Sequence, residues 1–503
     1  MYRRQFVGAG LAAWLAGQGM SARALAGVYA GLQAVDADVQ ALTLDQREQI
    51  IPRSVAQGLA DSLRGRLLLP GKAGYDTARQ VLNPAIDKHP ALIVQPSGAS
   101  DVQSAVQFAA ANNLVIAVKC GGHSFSGKST CDGGLLIDLS SYRNVQVDAT
   151  RKLAYVTGGS LLGAMDHECM ARGLVTTAGT VSHTGVGGLA TGGGFGRVAR
   201  RFGLALDNIR AVDVVSADGQ LHHASAEHNR ELYWGVRGGG GNYGVVTHFA
   251  FGLHPMQRQV IGGSRIYPLD RARQLLTLYA EHSMRAPREL YLDCSVGYPP
   301  GGGPGFASLD LCYSGQAAGF EAAMRPFEAL GEPLRDSVAS VDYVGLQRST
   351  DLSDPRAMVS YVKDGFVEGI TPALIDSILD GLQGNPDRFT QCYFQHAGGA
   401  IGDVDPTATA FSQRYASHDL MVILAWPPQA DAEAHTAYIR SYWATLEPHT
   451  RGYYSVVAED KAGTAAIRAN FEGNFQRMVA LKDRYDPRNH FRLNANIKPS
   501  APS

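Results

Sequence analysis

The sequence predicts an α+β protein with more than one core. Three observations lead there. The chain has 503 residues, enough for two or three cores of ordinary size. Residues 91–139 alternate short β-branched runs with one amphipathic helix, in the order strand, helix, strand, loop, strand. From about residue 253 the texture changes: helical segments such as "RARQLLTLYAEHSM" and "GFEAAMRPFEALG" alternate with strand-like runs such as "LMVILAW".

The first 26 residues resemble a bacterial twin-arginine export signal. Arg3 and Arg4 precede Phe6, a mildly apolar run and a small-residue site at Ala24-Leu25-Ala26. The run is too short and too interrupted by glycine to span a bilayer. The mature chain is therefore expected in the periplasm or outside the cell, with no membrane span. Residues 27–66, with "LTLDQREQIIPRSVAQGLADSLRG", read as a helical segment. "ALIVQ" reads as a strand, and "GASDVQSAVQFAAANNL" as a helix with Ser100 as N-cap and Asp101 in its first turn. "LVIAVKC" is the next strand. "GNFQRMVALKDRYDPRNHF" is a final helix closed by Asp486-Pro487.

Composition excludes several classes. The formal net charge is −1 and no basic run occurs, so no nucleic-acid partner is expected. The six cysteines have no C-x-x-C spacing, which argues against zinc and against a dense disulfide framework. Cys294 and Cys312 lie on two strand-like runs around a Gly/Pro turn, either as a cross-strand disulfide or as two reduced core thiols. His222, His223 and His228 follow an Asp-Gly turn and read as a surface hairpin; no metal is expected.

Glycine, at 58 residues, is concentrated in three clusters. Residues 122–129 spell G-x-x-x-x-G-K-S, the letters of a phosphate loop. That loop needs a helix starting at its Gly-Lys-Ser, whose free N–H groups hold the phosphates. Here "TCDGGLLIDL" follows, a turn and a strand, so the match is discounted. In the third cluster, Gly239, Gly241 and Gly244 fit a dinucleotide fingerprint but also run into a strand. Taken together, the clusters at 121–127, 185–197 and 237–246 supply closely approachable backbone N–H groups for one long anionic ligand. His123, between Gly122 and Ser124, is the one strong nucleophile or base in the first loop.

Together these segments resemble the berberine-bridge-enzyme-like FAD-linked oxidases of the vanillyl-alcohol-oxidase superfamily, from about residue 68 to residue 499. The segments are "YDTARQVLNPAIDKHPALIVQPSGASDV", "VKCGGHSFSGKST", "AGTVSHTGVGGLATGGGFGRVARRFGLALDNI", "YWGVRGGGGNYGVVTHF" and "RYDPRNHFRLNANIKP". The resemblance implies a two-part PCMH-type FAD-binding domain over 67–255 and an α+β substrate domain with an antiparallel sheet over 256–449. Residues 450–503 would return to the FAD-binding domain.

It further implies FAD bonded covalently at its 8α-methyl to His123. The cofactor-binding residues implied are Gly121, Gly122, Ser124, Phe125, Ser126 and Gly127 in the first loop; Thr180, Thr184, Gly185, Gly187, Gly188, Gly192, Gly193, Gly194, Asp207 and Asn208 in and after the second; Gly241, Gly244 and Val246 in the third; and Asn494 and Asn496 at the end. Bicovalent members carry a Cys where this chain has Val181, so one bond is expected. Cys120 is then a buried free thiol.

Members with a terminal catalytic Tyr carry it where this chain has Val456; Tyr453 or Tyr454 either substitutes for it or serves the core. Alternation in "FTQCYFQHAGGA" puts Gln391, Tyr393 and Gln395 on one face, with Tyr343 and Gln347 nearby, as substrate-facing candidates. The expected activity is hydride transfer from a small alcohol, sugar, amine or phenol to flavin N5, with O2 as acceptor. Alternatives are a dehydrogenase or oxygenase of the same fold, or a flavin carrier without turnover.

Overall fold

The computed structural model describes residues 34–500 apart from 300–301, 352–353, 355, 384–388 and 458–462. The proposed export signal lies outside the described residues. Among those described, no helix is long and apolar enough to cross a membrane.

The N-terminal stretch is not the single helix expected. Val39–Leu42 and Glu48–Ile51 pair as an antiparallel hairpin, and only Arg53–Ser62 is helical. Gln46 adopts φ 60° at the hairpin turn, and the β-branched pair Ile50-Ile51 favours the second strand. Pro52 then fits just ahead of the first helical turn, where no N–H is required.

Four strands form the first sheet of the amino-terminal half, in the order Arg66–Leu68, Leu92–Gln95, Leu135–Asp138, Ile116–Lys119, the last three parallel. The helix Ala99–Ala111 crosses between Leu92–Gln95 and Ile116–Lys119. It starts at Ala99 with Gly98 as N-cap, so Ser100 lies inside it. Asp101, in its first turn, instead ties the helix to the chain beside it: its carboxylate accepts the N–H groups of Ser97, Arg64 and Gly65 at 2.8–2.9 Å. After Ser129 the chain runs through turns into Leu135–Asp138 with no intervening helix, so the phosphate-loop letters carry no phosphate-loop architecture.

A second, five-stranded sheet follows: Leu221–Ser225, Ile209–Val215, Val245–Gly252, Leu153–Thr157, Val145–Asp148. His222 and His223 lie on its edge hairpin, His223 bonded to Asp213 and His222 to Ser216.

The large antiparallel sheet takes its strands from residues 259–426. Its order is Arg335–Asp336, Gln259–Pro268, Phe306–Tyr313, Leu290–Gly297, Phe389–His396, His418–Trp426, Val359–Val367. Helices Ala272–His282, Pro372–Gln383 and Ala432–Leu446 cover one face with an apolar core that includes Cys294, Cys392, Phe394, Leu420 and Val422. The opposite face lies against the amino-terminal half. Val362, Phe366 and Met421 there share one core with Ala178, Ala190, Phe195 and Tyr454.

Register excludes the Cys294–Cys312 disulfide. Cys294 lies opposite Leu309 and Cys312 opposite Tyr291, and alternation sends the two thiols to opposite faces of the sheet. All six cysteines are free.

Candidate active site

The site is built where the three glycine clusters meet the polar face of the large sheet. The first and second loops touch. A Cβ on Gly121 would come within 2.4 Å of the Gly185 nitrogen, and one on Gly185 within 2.4 Å of Cys120 Sγ. Only glycine permits this approach. Cys120 donates to the Ser160 carbonyl at 3.4 Å, and burial pushes its thiol up to about 11, so it is inert packing.

Within the first loop, Ser124 Oγ accepts the Lys128 N–H at 2.9 Å and the Gly127 N–H donates to the Ser124 carbonyl at 3.2 Å, while Ser126 Oγ lies 3.5 Å from Ser124 Oγ. The Phe125 carbonyl accepts Asn83 Nδ2, which also reaches the Ser360 carbonyl on the large sheet. Gly122 takes φ 71° so that its carbonyl can receive the Leu82 N–H.

His123 is held from both sides. Its Nε2 lies 2.6 Å from His183 Nδ1, and its Nδ1 lies 3.3 Å from Thr184 Oγ1. Burial, and then the neighbouring His183, bring its pKa down to about 4, so the imidazole is neutral near pH 7. His183 was overlooked in the sequence although it stands in the quoted second motif; a lone His between Ser and Thr carries no spacing signal. Ser182, just before it, is anchored by Asp351, which accepts both the Ser182 N–H at 2.8 Å and its hydroxyl at 2.5 Å.

In the second loop the helix Val186–Gly192 begins immediately after Gly185. The Thr180 carbonyl accepts Arg197 Nη1 and the Thr350 hydroxyl. Val456 and Tyr454 pack on Gly192 and Gly193, and the Gly194 N–H donates to Tyr454 Oη at 2.8 Å. Tyr454 therefore takes the packing role of the two left open. Tyr453 Oη is buried with no hydrogen-bond partner among the described residues.

Asp207 and Asn208 do not face an open cradle. Both Asp207 oxygens are taken by Arg414 at 2.8 Å, with Oδ2 also accepting the Leu204 N–H. Asn208 bonds the Phe202 and Leu204 carbonyls and His254. The side chains of these two hold the loop's shape.

In the third cluster, Gly244 takes φ 144° and its backbone lies against the Val215 carbonyl, where a Cβ would come within 2.2 Å. The following strand holds Val246, whose carbonyl lies against Gly158. The carboxy-terminal segment docks here: Asn242 bonds the Gly239 and Ala495 carbonyls and the Ile497 N–H. Lys482 and Asp486 form a fully buried pair at 2.6 Å beneath it.

Two features fit a flavin dinucleotide. Gly188, Gly240 and Gly241 have no atom within 4 Å of a virtual Cβ, so backbone is open to a close ligand. Oxygens of Asn494 and Asn496, His183 Nε2, Ser129 Oγ and Thr130 Oγ1 are buried without partners among the described residues.

The sheet face above carries more acid than the sequence suggested. Gln391, Tyr393 and Gln395 do share the face that meets the glycine loops, as alternation implied. Tyr393 donates its hydroxyl to Asp293, which also accepts the His396 N–H at 2.9 Å. Burial raises Asp293 to about 7, opposed by the Tyr393 hydrogen bond. On the same face Asp364 is raised to about 7 by burial, and Asp419 well above the usual range by burial and by Asp364. Gln347 is not substrate-facing: it bonds Arg197 at 2.8 Å, Asp166 at 3.2 Å and the Gly179 carbonyl at 3.0 Å. Tyr343 lies buried in the core beside it.

Comparison with known proteins follows this geometry. Residues 90–225 match the family model described as "FAD binding domain", and residues 464–498 the one described as "Berberine and berberine like". An FAD-linked oxidoreductase of Dictyostelium discoideum is 31% identical over 448 residues, 88% of this chain and 97% of that one. (R)-6-hydroxynicotine oxidase of Paenarthrobacter nicotinovorans is 28% identical, over 87% of this chain and 97% of that one. The solved structure of 6-hydroxy-D-nicotine oxidase from Arthrobacter nicotinovorans aligns with TM-score 0.79 at 25% identity, covering 87% of this chain and 99% of the other. A chitooligosaccharide oxidase aligns with TM-score 0.81 at 23% identity, which supports the fold. With its glycine loops, its polar sheet face and its carboxy-terminal return all accounted for, the chain belongs to the berberine-bridge-enzyme-like family of FAD-linked oxidoreductases.

Proposed function

We propose that this protein is an exported oxidase whose FAD is bonded covalently to His123 and whose substrate is a small alcohol, sugar, amine or phenol. The observation that carries the reading is the placement of His123: a neutral imidazole at the junction of two glycine loops, gripped at both nitrogens. The relatives named as oxidases support O2 as the electron acceptor. Bound there, FAD supplies hydride acceptance at N5 and transfer of the electrons to O2, giving H2O2.

The protein's share is placement and proton handling. The open backbone of the second and third loops and the Asn494 and Asn496 carboxamides would hold the dinucleotide. Gln391 and Gln395 would orient the substrate's polar groups. Tyr393 and Asp293 form a proton relay: the phenol takes the substrate proton as it passes its own to the carboxylate. The apolar core around Val362, Phe366 and Met421 keeps water from that exchange.

Peptide mass spectrometry after tryptic digestion tests the linkage. Flavin mass on the peptide containing His123, and on no other, is expected. Complete release of flavin on acid precipitation overturns it.

A further inference from the structure

We infer that His183 is the proton acceptor that activates His123 for bonding to the flavin. The inference rests on the covalent reading above, and its test separates the two.

The geometry assigns each ring nitrogen a task. His123 has two nitrogens, and a neutral imidazole carries one proton between them. His183 Nδ1 sits 2.6 Å from Nε2, a short hydrogen bond, whereas Thr184 Oγ1 is 3.3 Å from Nδ1. The Nε2–H tautomer donates to His183 and leaves the Nδ1 lone pair with the weaker, longer contact, so Nδ1 is the nucleophile. As Nδ1 forms its bond, positive charge develops on the ring and the Nε2 proton must leave. Among the described residues, His183 Nδ1 is the one basic atom in hydrogen-bond contact with it.

The surroundings suit that role. His183 Nε2 is buried with no hydrogen-bond partner among the described residues, so no described group competes for this ring from its far side. The two rings are tilted at 42° with centroids 4.6 Å apart, and the two nitrogens meet at 2.6 Å. The Asp351 carboxylate grips Ser182, one residue away, and its charge opposes the lowering of the His123 pKa. His123, His183 and Asp351 are the titratable groups that act on one another here.

The step balances. The 8α-methyl loses one C–H proton, His123 loses its N–H proton to His183, and a C–N bond forms between 8α carbon and Nδ1. The electron pair from the C–H bond reduces the isoalloxazine. O2 then accepts the two electrons and two protons as H2O2, restoring oxidised flavin, and His183 returns to neutral.

The test uses the full chain produced in a riboflavin-limited host and mixed with FAD in air. Acid-stable flavin is followed with time. The wild type is expected to attach FAD, and His123→Ala to bind it only reversibly. If wild-type flavin remains acid-labile, the covalent reading fails and this inference falls with it. If it attaches, His183→Ala is expected to bind FAD yet attach it about 10²–10⁴-fold more slowly, the range typical for loss of a positioned base. Added imidazole should restore part of the rate, and the residual rate should rise with pH as hydroxide substitutes. His183→Asn, which keeps a hydrogen-bond acceptor but cannot take the proton, should behave alike and serves if the Ala variant does not bind FAD. Wild-type attachment in either variant, or slow attachment indifferent to imidazole and pH, overturns the role.

Discussion

Replacing Tyr393 by Phe removes one oxygen from the sheet face and leaves the ring in its packing. The lost hydroxyl donates to Asp293, which also accepts the His396 N–H at 2.9 Å and interacts with the Tyr291 hydroxyl. Stability should fall only modestly, by about 1–3 kcal/mol for an orphaned buried acceptor, and less below pH 7, where Asp293 is already protonated. The kinetic effect should be larger. Loss of a positioned base costs about 10²–10⁴-fold, or about 3–5 kcal/mol of barrier. The relay also fixes a pH dependence. Tyr393 can pass its proton on only when Asp293 is ionised, so flavin reduction should rise with pH through about 7 and level off above it. Asp293→Asn should lower the rate and abolish that rise. Anaerobic stopped-flow of flavin bleaching at several pH values reads both. A Tyr393→Phe variant that reduces flavin at the wild-type rate, or a wild-type profile flat across pH 7, would refute the relay.

Three further outcomes are expected. Tyr454→Phe frees the buried Gly194 N–H; it should lower thermal stability by about 1–3 kcal/mol while leaving the rate of flavin reduction unchanged. Asp166 is raised to about 7 by burial, against the Gln347 hydrogen bond, so its contribution to stability is full below the unfolded carboxylate value and is lost as pH rises through 7. A shift of about three units corresponds to about 4 kcal/mol; Asp166→Asn should weaken the decline of melting temperature between pH 5 and 8, and an unchanged slope would exclude it. Replacing Arg3 and Arg4 by Lys should leave the protein in the cytoplasm, as read by fractionation; unaltered export would exclude twin-arginine routing.

What the sequence revealed follows from which interactions are local. The strand Phe389–His396 was legible because side-chain alternation is a property of the strand itself, and the face holding Gln391, Tyr393 and Gln395 came out as read. The absence of a helix after Ser129 was legible because a Gly-Gly turn precedes the next apolar run. Asp293 was missed because its importance comes from Tyr393, a hundred residues away in sequence. The partner of Asp207 was hidden for the same reason: its carboxylate pairs with Arg414, 207 residues away in sequence. The N-terminal hairpin was read as helix because its charged residues favour helix, whereas pairing between Val39–Leu42 and Glu48–Ile51 decided the outcome.

The docking of Ile497 onto Asn242 has a temporal consequence. The third glycine loop is completed by residues made 255 positions after it, and the buried Lys482–Asp486 pair beneath it forms from the same later segment. A nascent chain, however far its first sheet has folded, cannot yet close this pocket. Cofactor capture must therefore wait until that segment has been made. A secretion channel that threads unfolded polypeptide during synthesis would carry away a protein still unable to hold its flavin.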